Sequence, residues 1–177
     1  MRQTRSEVME LSRSEWLEKG RAIVIRQLSM MDRSRHQLDE AMAKRGVPED
    51  VRCEILDRYT ELGLIDDAHF ADALVQTRLA GAGTSRRVIA EELRRKGIDA
   101  DIVEAAVGAI DDAEELGAAT RLALKRLERG GGDRASLQQR VYAALARRGF
   151  SHDVCSIALR QANELLGSED SEASWTD

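Results

Sequence analysis

One phrase is written three times in this chain. LRRKGIDADIV (Leu93–Val103) has close copies in MAKRGVPEDV (Met42–Val51) and LARRGFSHDV (Leu145–Val154). Each copy places an apolar residue and basic residues before a glycine, an apolar residue after it, and then an Asp ahead of a β-branched residue. The glycines, Gly46, Gly97 and Gly149, are 51 and 52 residues apart. Around them the apolar positions also repeat. Leu38, Ile89 and Val141 stand eight residues before the glycine, and Met42, Leu93 and Leu145 stand four before. Val47, Ile98 and Phe150 follow it directly; Val51, Ile102 and Val154, then Ile55, Ala106 and Ala158, then Tyr59, Ile110 and Ala162 recur at steps of four. Steps of four on both sides of a glycine describe two amphipathic helices meeting at a corner.

The glycine has a physical reason. A helix often ends on a left-handed residue, a conformation that glycine takes without a Cβ penalty. Lys44–Arg45, Arg94–Lys96 and Arg147–Arg148 then occupy the last turn, at the negative end of the helix dipole. Asp99 and Ser151 are expected to cap the second helix of their corners, and Pro48 to take a first helical position. A period of about 51 residues leaves room for a further helix before each hairpin, and Ser14–Met30, Asp66–Leu79 and Glu114–Glu128 supply it. The expected fold class is all-α: three tandem three-helix repeats forming an elongated, curved array. Repeats are expected at 14–63, 64–113 and 114–166, with a disordered segment at 1–13 and an acidic disordered tail at 167–177. AIDDAEELGAA (Ala109–Ala119) contains no clear stop, so the sixth and seventh helices are expected to be able to run together.

Composition agrees. There is one proline in 177 residues, and aromatic residues make up 3% of the chain, so nothing breaks helices and no thick core can form. No apolar run reaches the length of a membrane span, and the first residues lack the apolar core of a secretory signal, so a cytoplasmic protein is expected. Cys53 and Cys155 have no metal-type spacing and are read as reduced thiols.

Charge is placed in blocks. Gly46–Asp72 and Asp101–Leu116 are acidic, whereas Arg78–Gly97 and Gly117–Phe150 are basic. Two readings fit: solvated helix faces, or basic strips offered to a polyanion or an acidic partner. Under the second, the contact residues are Arg78, Arg86, Arg87, Arg94, Arg95, Lys96, Arg140, Arg147 and Arg148. Catalytic signals are nearly absent. His36, His69 and His152 fall in different repeats, and Asp66–Asp67 and Asp111–Asp112 read as helix starts. Cys155 reads as a core thiol, and RGGGDR (Arg129–Arg134) as a flexible linker without the Gly-Lys-Ser/Thr ending of a phosphate loop. No cofactor, metal or catalytic residue is expected. The six aromatic residues are too scattered to make a stacking platform for a single strand.

The stretch Leu62–Asp99 resembles the central motif of the RecX regulatory proteins of bacteria. It is carried by Leu62, Gly63, Ile65, Asp66, Asp67, Phe70 and Ala71, then Arg78, Gly83, Glu92, Leu93, Lys96, Gly97 and Ile98. RSRHQLDEAMAKRGVPEDV (Arg33–Val51) is similar to that family's first hairpin. Leu74 departs from it, standing where many members carry tryptophan. The resemblance implies a monomeric modulator that lies in the groove of the RecA recombinase filament on single-stranded DNA and inhibits its strand exchange and coprotease activities. The competing expectation is a helical DNA-binding module or transcription regulator that acts without RecA.

Overall fold

The computed structural model describes residues 11–173; of residue 82 and residues 168–173 only the backbone is described. Among the described residues there are nine α-helices and no strand. They are α1 (Arg13–Leu28), α2 (Arg35–Ala43), α3 (Glu49–Glu61), α4 (Asp67–Thr77), α5 (Arg86–Arg95), α6 (Ala100–Gly108), α7 (Asp112–Arg129), α8 (Arg134–Arg147) and α9 (His152–Ala173). The fold is three three-helix repeats in tandem.

The three corners have one construction. Gly46, Gly97 and Gly149 have φ of 76°, 75° and 85°. The residue after each glycine donates its N–H five residues back, Val47 to the Met42 carbonyl at 3.2 Å, Ile98 to Leu93 at 3.2 Å and Phe150 to Leu145 at 3.4 Å. This is the Schellman arrangement, which satisfies the last orphan carbonyls of the first helix. It also explains the apolar residue after each glycine, since Val47, Ile98 and Phe150 are buried together with the residues that accept their bonds.

Helix starts are equally local. Ser12 with Glu15, Ser34 with Gln37, and Asp111 with Glu114 form reciprocal capping boxes. The last of these separates two helices that the sequence left open to fusion: α6 stops at Gly108 and α7 starts at Asp112. Other expectations need correction. Pro48 is the N-cap residue of α3 rather than its first helical residue, because its ψ of 148° is extended. In the second and third repeats, the deepest position after the corner is Val103 and Cys155, one residue later than the repeat spacing places it; Ile102 and Val154 are half-buried. Glycine-rich AGAGTS (Ala80–Ser85) opens not as a simple loop but as a π-helical turn, Arg78–Ala82, that continues α4 and ends on left-handed Gly83, φ 54°. At the chain ends, α1 already starts at Arg13, and α9 carries the segment expected as a tail on as helix to Ala173. Residues 1–10 and 174–177 lie outside the described residues.

The chain forms two compact units, residues 1–70 and 71–177. In the first, Val24, Leu38, Met42, Val47, Val51 and Ile55 make the centre of the core. Gly20 lets α1 approach α3, since a Cβ there would stand 2.4 Å from the Ile55 side chain. In the second, α7 packs along α9 through small residues: Ala118, Ala119 and Ala123 on one helix, Ala158 and Ala162 on the other, all buried. The Thr120 hydroxyl donates to Gln161 Oε1 at 2.9 Å within this seam.

Two left-handed glycines predict different costs. A Cβ on Gly63, φ 68°, meets nothing within 4 Å, so Gly63→Ala should cost only the left-handed backbone term, about 1–2 kcal/mol. A Cβ on Gly149 would lie 2.4 Å from Val88 Cγ2 and 2.5 Å from Ser85 Oγ. Gly149→Ala should therefore add an overpacking cost of about 1–3 kcal/mol. Denaturant unfolding of the two variants measures the difference; equal losses would show that the third corner is not seated against the start of α5.

Candidate polyanion interface

The nine cations expected to face a partner divide by what already holds them. Arg78 grips Glu92 with two parallel bonds, Nε at 2.7 Å and Nη2 at 2.6 Å, with Lys96 Nζ 4.0 Å from the same carboxylate. The guanidinium bonds hold the Glu92 carboxyl below its ordinary range, against the opposing effect of partial burial. Arg86 is more fully engaged. Its backbone N–H and Nε donate to the two oxygens of Glu115 at 3.0 and 2.7 Å, Nη1 to the Ile110 carbonyl at 3.2 Å, and Nη2 to Asp112. Glu115 is 8% exposed, so this pair is a strut between α5 and α7 and not a surface charge. Arg87 pairs with Glu91 one turn along α5, at 2.7 Å. These residues are neutralised inside the chain.

Arg94, Arg95 and Arg147 are different. They project from the second and third corners, are exposed, and have no carboxylate partner among the described residues. Arg140 and Arg148 enter a further feature. A cleft of about 760 Å³ opens between the π-helical turn, one face of α7, and α8. Its walls carry Arg121, Lys125, Arg126, Arg129, Arg140 and Arg148, and no acid. Four of these six were not singled out from the sequence. The signal was present in RLALKRLER (Arg121–Arg129), where cations recur every four residues on one face. It was concealed because α7 also has to supply a buried alanine face, which reads as an ordinary amphipathic helix.

Glycine shapes the cleft. A Cβ on Gly83 would lie 3.0 Å from Leu122 Cβ and 3.1 Å from the Ala118 carbonyl. A Cβ on Gly130 would lie 2.2 Å from Leu137 Cδ1 and 2.9 Å from the Arg126 carbonyl. RGGGDR is thus packed at its start, where Gly130 ends α7, and is not wholly a flexible linker. Arg148 is tied in by its backbone, its carbonyl accepting the Ser85 N–H at 3.1 Å.

The remaining chemistry is structural. Asp66 accepts the His69 N–H at 2.9 Å and Asp67 the Arg35 N–H at 2.8 Å, so this acidic pair starts α4 and ties it to α2. Asp111 caps α7 and Asp112 meets Arg86. Both cysteines are free, Cys53 exposed and Cys155 buried, and burial raises the Cys155 thiol. Among the described residues no group of three or more His, Cys, Asp or Glu side chains could hold a metal ion, and no helix is long and apolar enough to cross a membrane.

Three three-helix repeats in tandem define an all-α helical repeat protein. Comparison with known proteins gives the family. The models of the first, second and third three-helix domains of RecX match residues 21–58, 66–107 and 113–159. The regulatory protein RecX of Mycobacterium ulcerans (strain Agy99) is 43% identical over 147 residues, covering 81% of this chain and 85% of that protein. The regulatory protein RecX of Mycobacterium tuberculosis (strain ATCC 25618 / H37Rv) is 40% identical over 156 residues, covering 85% and 90%. The crystal structure of RecX from Lactobacillus salivarius superposes with a TM-score of 0.72 at 25% identity, over 85% of this chain and 98% of that one. The chain belongs to the RecX family of regulatory proteins.

Two outcomes follow from the ion pairs. Arg86→Ala leaves the buried Glu115 carboxylate only the backbone N–H of residue 86 and should cost about 3 kcal/mol, whereas Arg87→Ala, which breaks an exposed pair, should cost under about 1 kcal/mol. Denaturation midpoints of the two variants check this. The Glu92 carboxyl is lowered on folding, so its contribution to stability is complete above its unfolded value. It is lost as pH falls from about 4.3 through the lower folded value. An acid titration of stability should therefore be shallower in Glu92→Gln than in the parent chain over that window.

Proposed function

We propose that this chain acts on RecA, binding along the recombinase filament on single-stranded DNA and restraining its strand-exchange, ATPase and coprotease activities. It would thereby limit homologous recombination, DNA repair and the SOS response. The observation that carries this reading is the match of all three RecX domain models in tandem order. Three small helical modules in series suit a polymeric partner, because each can meet a successive subunit and linked contacts gain from effective concentration. The modules are taken as residues 14–63, 64–113 and 114–166. The protein works as a cytoplasmic monomer without a cofactor.

Of the cations expected at the contact, Arg94, Arg95 and Arg147 are the ones free to reach a partner. Arg78 and Arg86 support the reading only indirectly, by fixing the helices that carry the others.

The test is retention of the full chain on immobilised RecA, with and without single-stranded DNA and a non-hydrolysable ATP analogue. Retention that requires the assembled filament is the expected result. Sequence-selective binding to duplex DNA without RecA would instead identify a transcription regulator. Arg94→Glu with Arg95→Glu should remain helical by circular dichroism and inhibit RecA ATP hydrolysis less well. The deficit should narrow as salt rises, because screening removes from the parent chain the attraction that the variant has already lost. Full inhibition by the double variant would make the second corner a solvated surface.

A further inference from the structure

Six large apolar side chains are exposed among the described residues, and five of them, Ile25, Met30, Met31, Leu62 and Leu64, belong to one end of the first unit. The helix packing puts them there. Arg13 at the start of α1 pairs with Asp50 and Glu54 in the first half of α3, and Gly20 meets Ile55 further along, so the two helices run side by side in the same direction. Their last turns, and the turns that follow them, therefore share one end of the unit. Arg35 ties these turns together: its backbone N–H donates to Asp67 Oδ1 at 2.8 Å and its Nη1 to Thr60 Oγ1 at 3.2 Å. Leu28 and Tyr59, at the same helix ends, pack on the core, whereas the five exposed side chains take no part in it.

Single exposed apolar residues are ordinary, but a gathered set marks a contact surface. We propose that this end of the first unit docks an amphipathic helix of a recombinase subunit, a helix that carries acidic side chains beside its apolar face. This rests on the reading that the chain acts on RecA, and adds to the basic corners of the second unit an apolar contact in the first.

Three features select that occupant. Size is the first. A stable dimer buries about 800 Å² on each partner, more than five side chains at two turns supply, whereas a helix laid on a surface needs only a few anchors along its apolar face. Side-chain chemistry is the second. Two of the five are methionines, whose unbranched thioethers adapt to the shape of what they meet. None is a Trp or Tyr, the residues that seat a surface among lipid headgroups. Charge is the third. Arg21 and Arg26, on the exposed face of α1 that carries Ile25, have no carboxylate partner among the described residues. The Arg33 Nε, beside the turn of Met30 and Met31, is buried without a hydrogen-bond partner. Of the acids at this end, Glu61 is engaged by Arg58 and Asp66 by the His69 N–H, which leaves Asp32 against three arginines. Unpaired arginines beside an apolar set favour a partner that brings carboxylates.

The experiment measures retention of the full chain on RecA filaments assembled on single-stranded DNA with a non-hydrolysable ATP analogue, at low and at high salt. Met30→Ser with Met31→Ser changes two exposed side chains outside the core. It should keep the helicity and thermal midpoint of the parent chain and bind about tenfold or more weakly. The factor should be the same at both salts, because no charge is altered. Met30→Leu with Met31→Leu keeps the surface apolar and should bind nearly as the parent does. Arg21→Glu with Arg26→Glu should weaken binding at low salt and less so at high salt. Parent-like retention of the Met30→Ser, Met31→Ser variant would overturn the proposal and leave the filament reading in place. Failure of the parent itself to be retained would end the filament reading and this docking with it, so the two failures are told apart. Unchanged binding by the Arg21→Glu, Arg26→Glu variant would overturn the acidic character given to the helix. A concentration-dependent dimer of the parent in sedimentation velocity, abolished by Met30→Ser with Met31→Ser, would give the surface to a second copy of the chain and overturn its assignment to the recombinase.

Discussion

The Glu115 carboxylate is the point on which the second unit of the chain turns. It is buried at the start of α7 and satisfied by the backbone and side chain of Arg86 at the start of α5. An unpaired carboxylate there would carry a desolvation cost of several kcal/mol, so the two helix starts are bound together. From that contact the rest follows. Ser85, beside Arg86, is held where its N–H meets the Arg148 carbonyl, and the third corner closes over Val88 with only a glycine's clearance. The π-helical turn ahead of Ser85 is then carried against α7 at Gly83, which forms one wall of the cleft. The second and third repeats are therefore joined through backbone and buried charge, and not only through apolar surface.

This joining sorts the arginines. The sequence supplies basic residues to every corner and to α7, and the fold gives some of them carboxylates and withholds them from others. Arg78 and Arg86 act as fasteners, whereas Arg87 meets only Glu91 on its own helix. Arg94, Arg95 and Arg147 stand out from the corners, and the α7 series lines a concavity. The fasteners influence binding only by holding those groups in place, so substitutions among them would be read first as lost stability.

How much of this is legible without coordinates depends on how far apart the interacting residues are. The corners are legible because everything they need lies within six residues: a left-handed glycine, a buried residue after it, and a buried acceptor five residues earlier. The break between α6 and α7 stays open in the sequence although it is just as local, because Asp111 and Glu114 read as part of an acidic run and not as a capping box. The strut is different. Arg86 and Glu115 are 29 residues apart, in blocks of opposite sign that a sequence reading assigns to solvent or to a partner. The cleft was hidden for the same reason, since its walls come from three elements whose packing no local pattern records.

The seam between α7 and α9 has a consequence for how the chain can vary. Ala118, Ala119, Ala123, Ala158 and Ala162 have almost nothing left to lose, so truncation there removes little. Enlargement must instead push the two helices apart, and with them the cleft wall that α7 carries. Size acts along this seam as a one-way filter. Each step from alanine toward leucine or phenylalanine there adds bulk between two packed helices. The five alanine positions of this seam are therefore closed to aromatic side chains by the approach of α7 to α9.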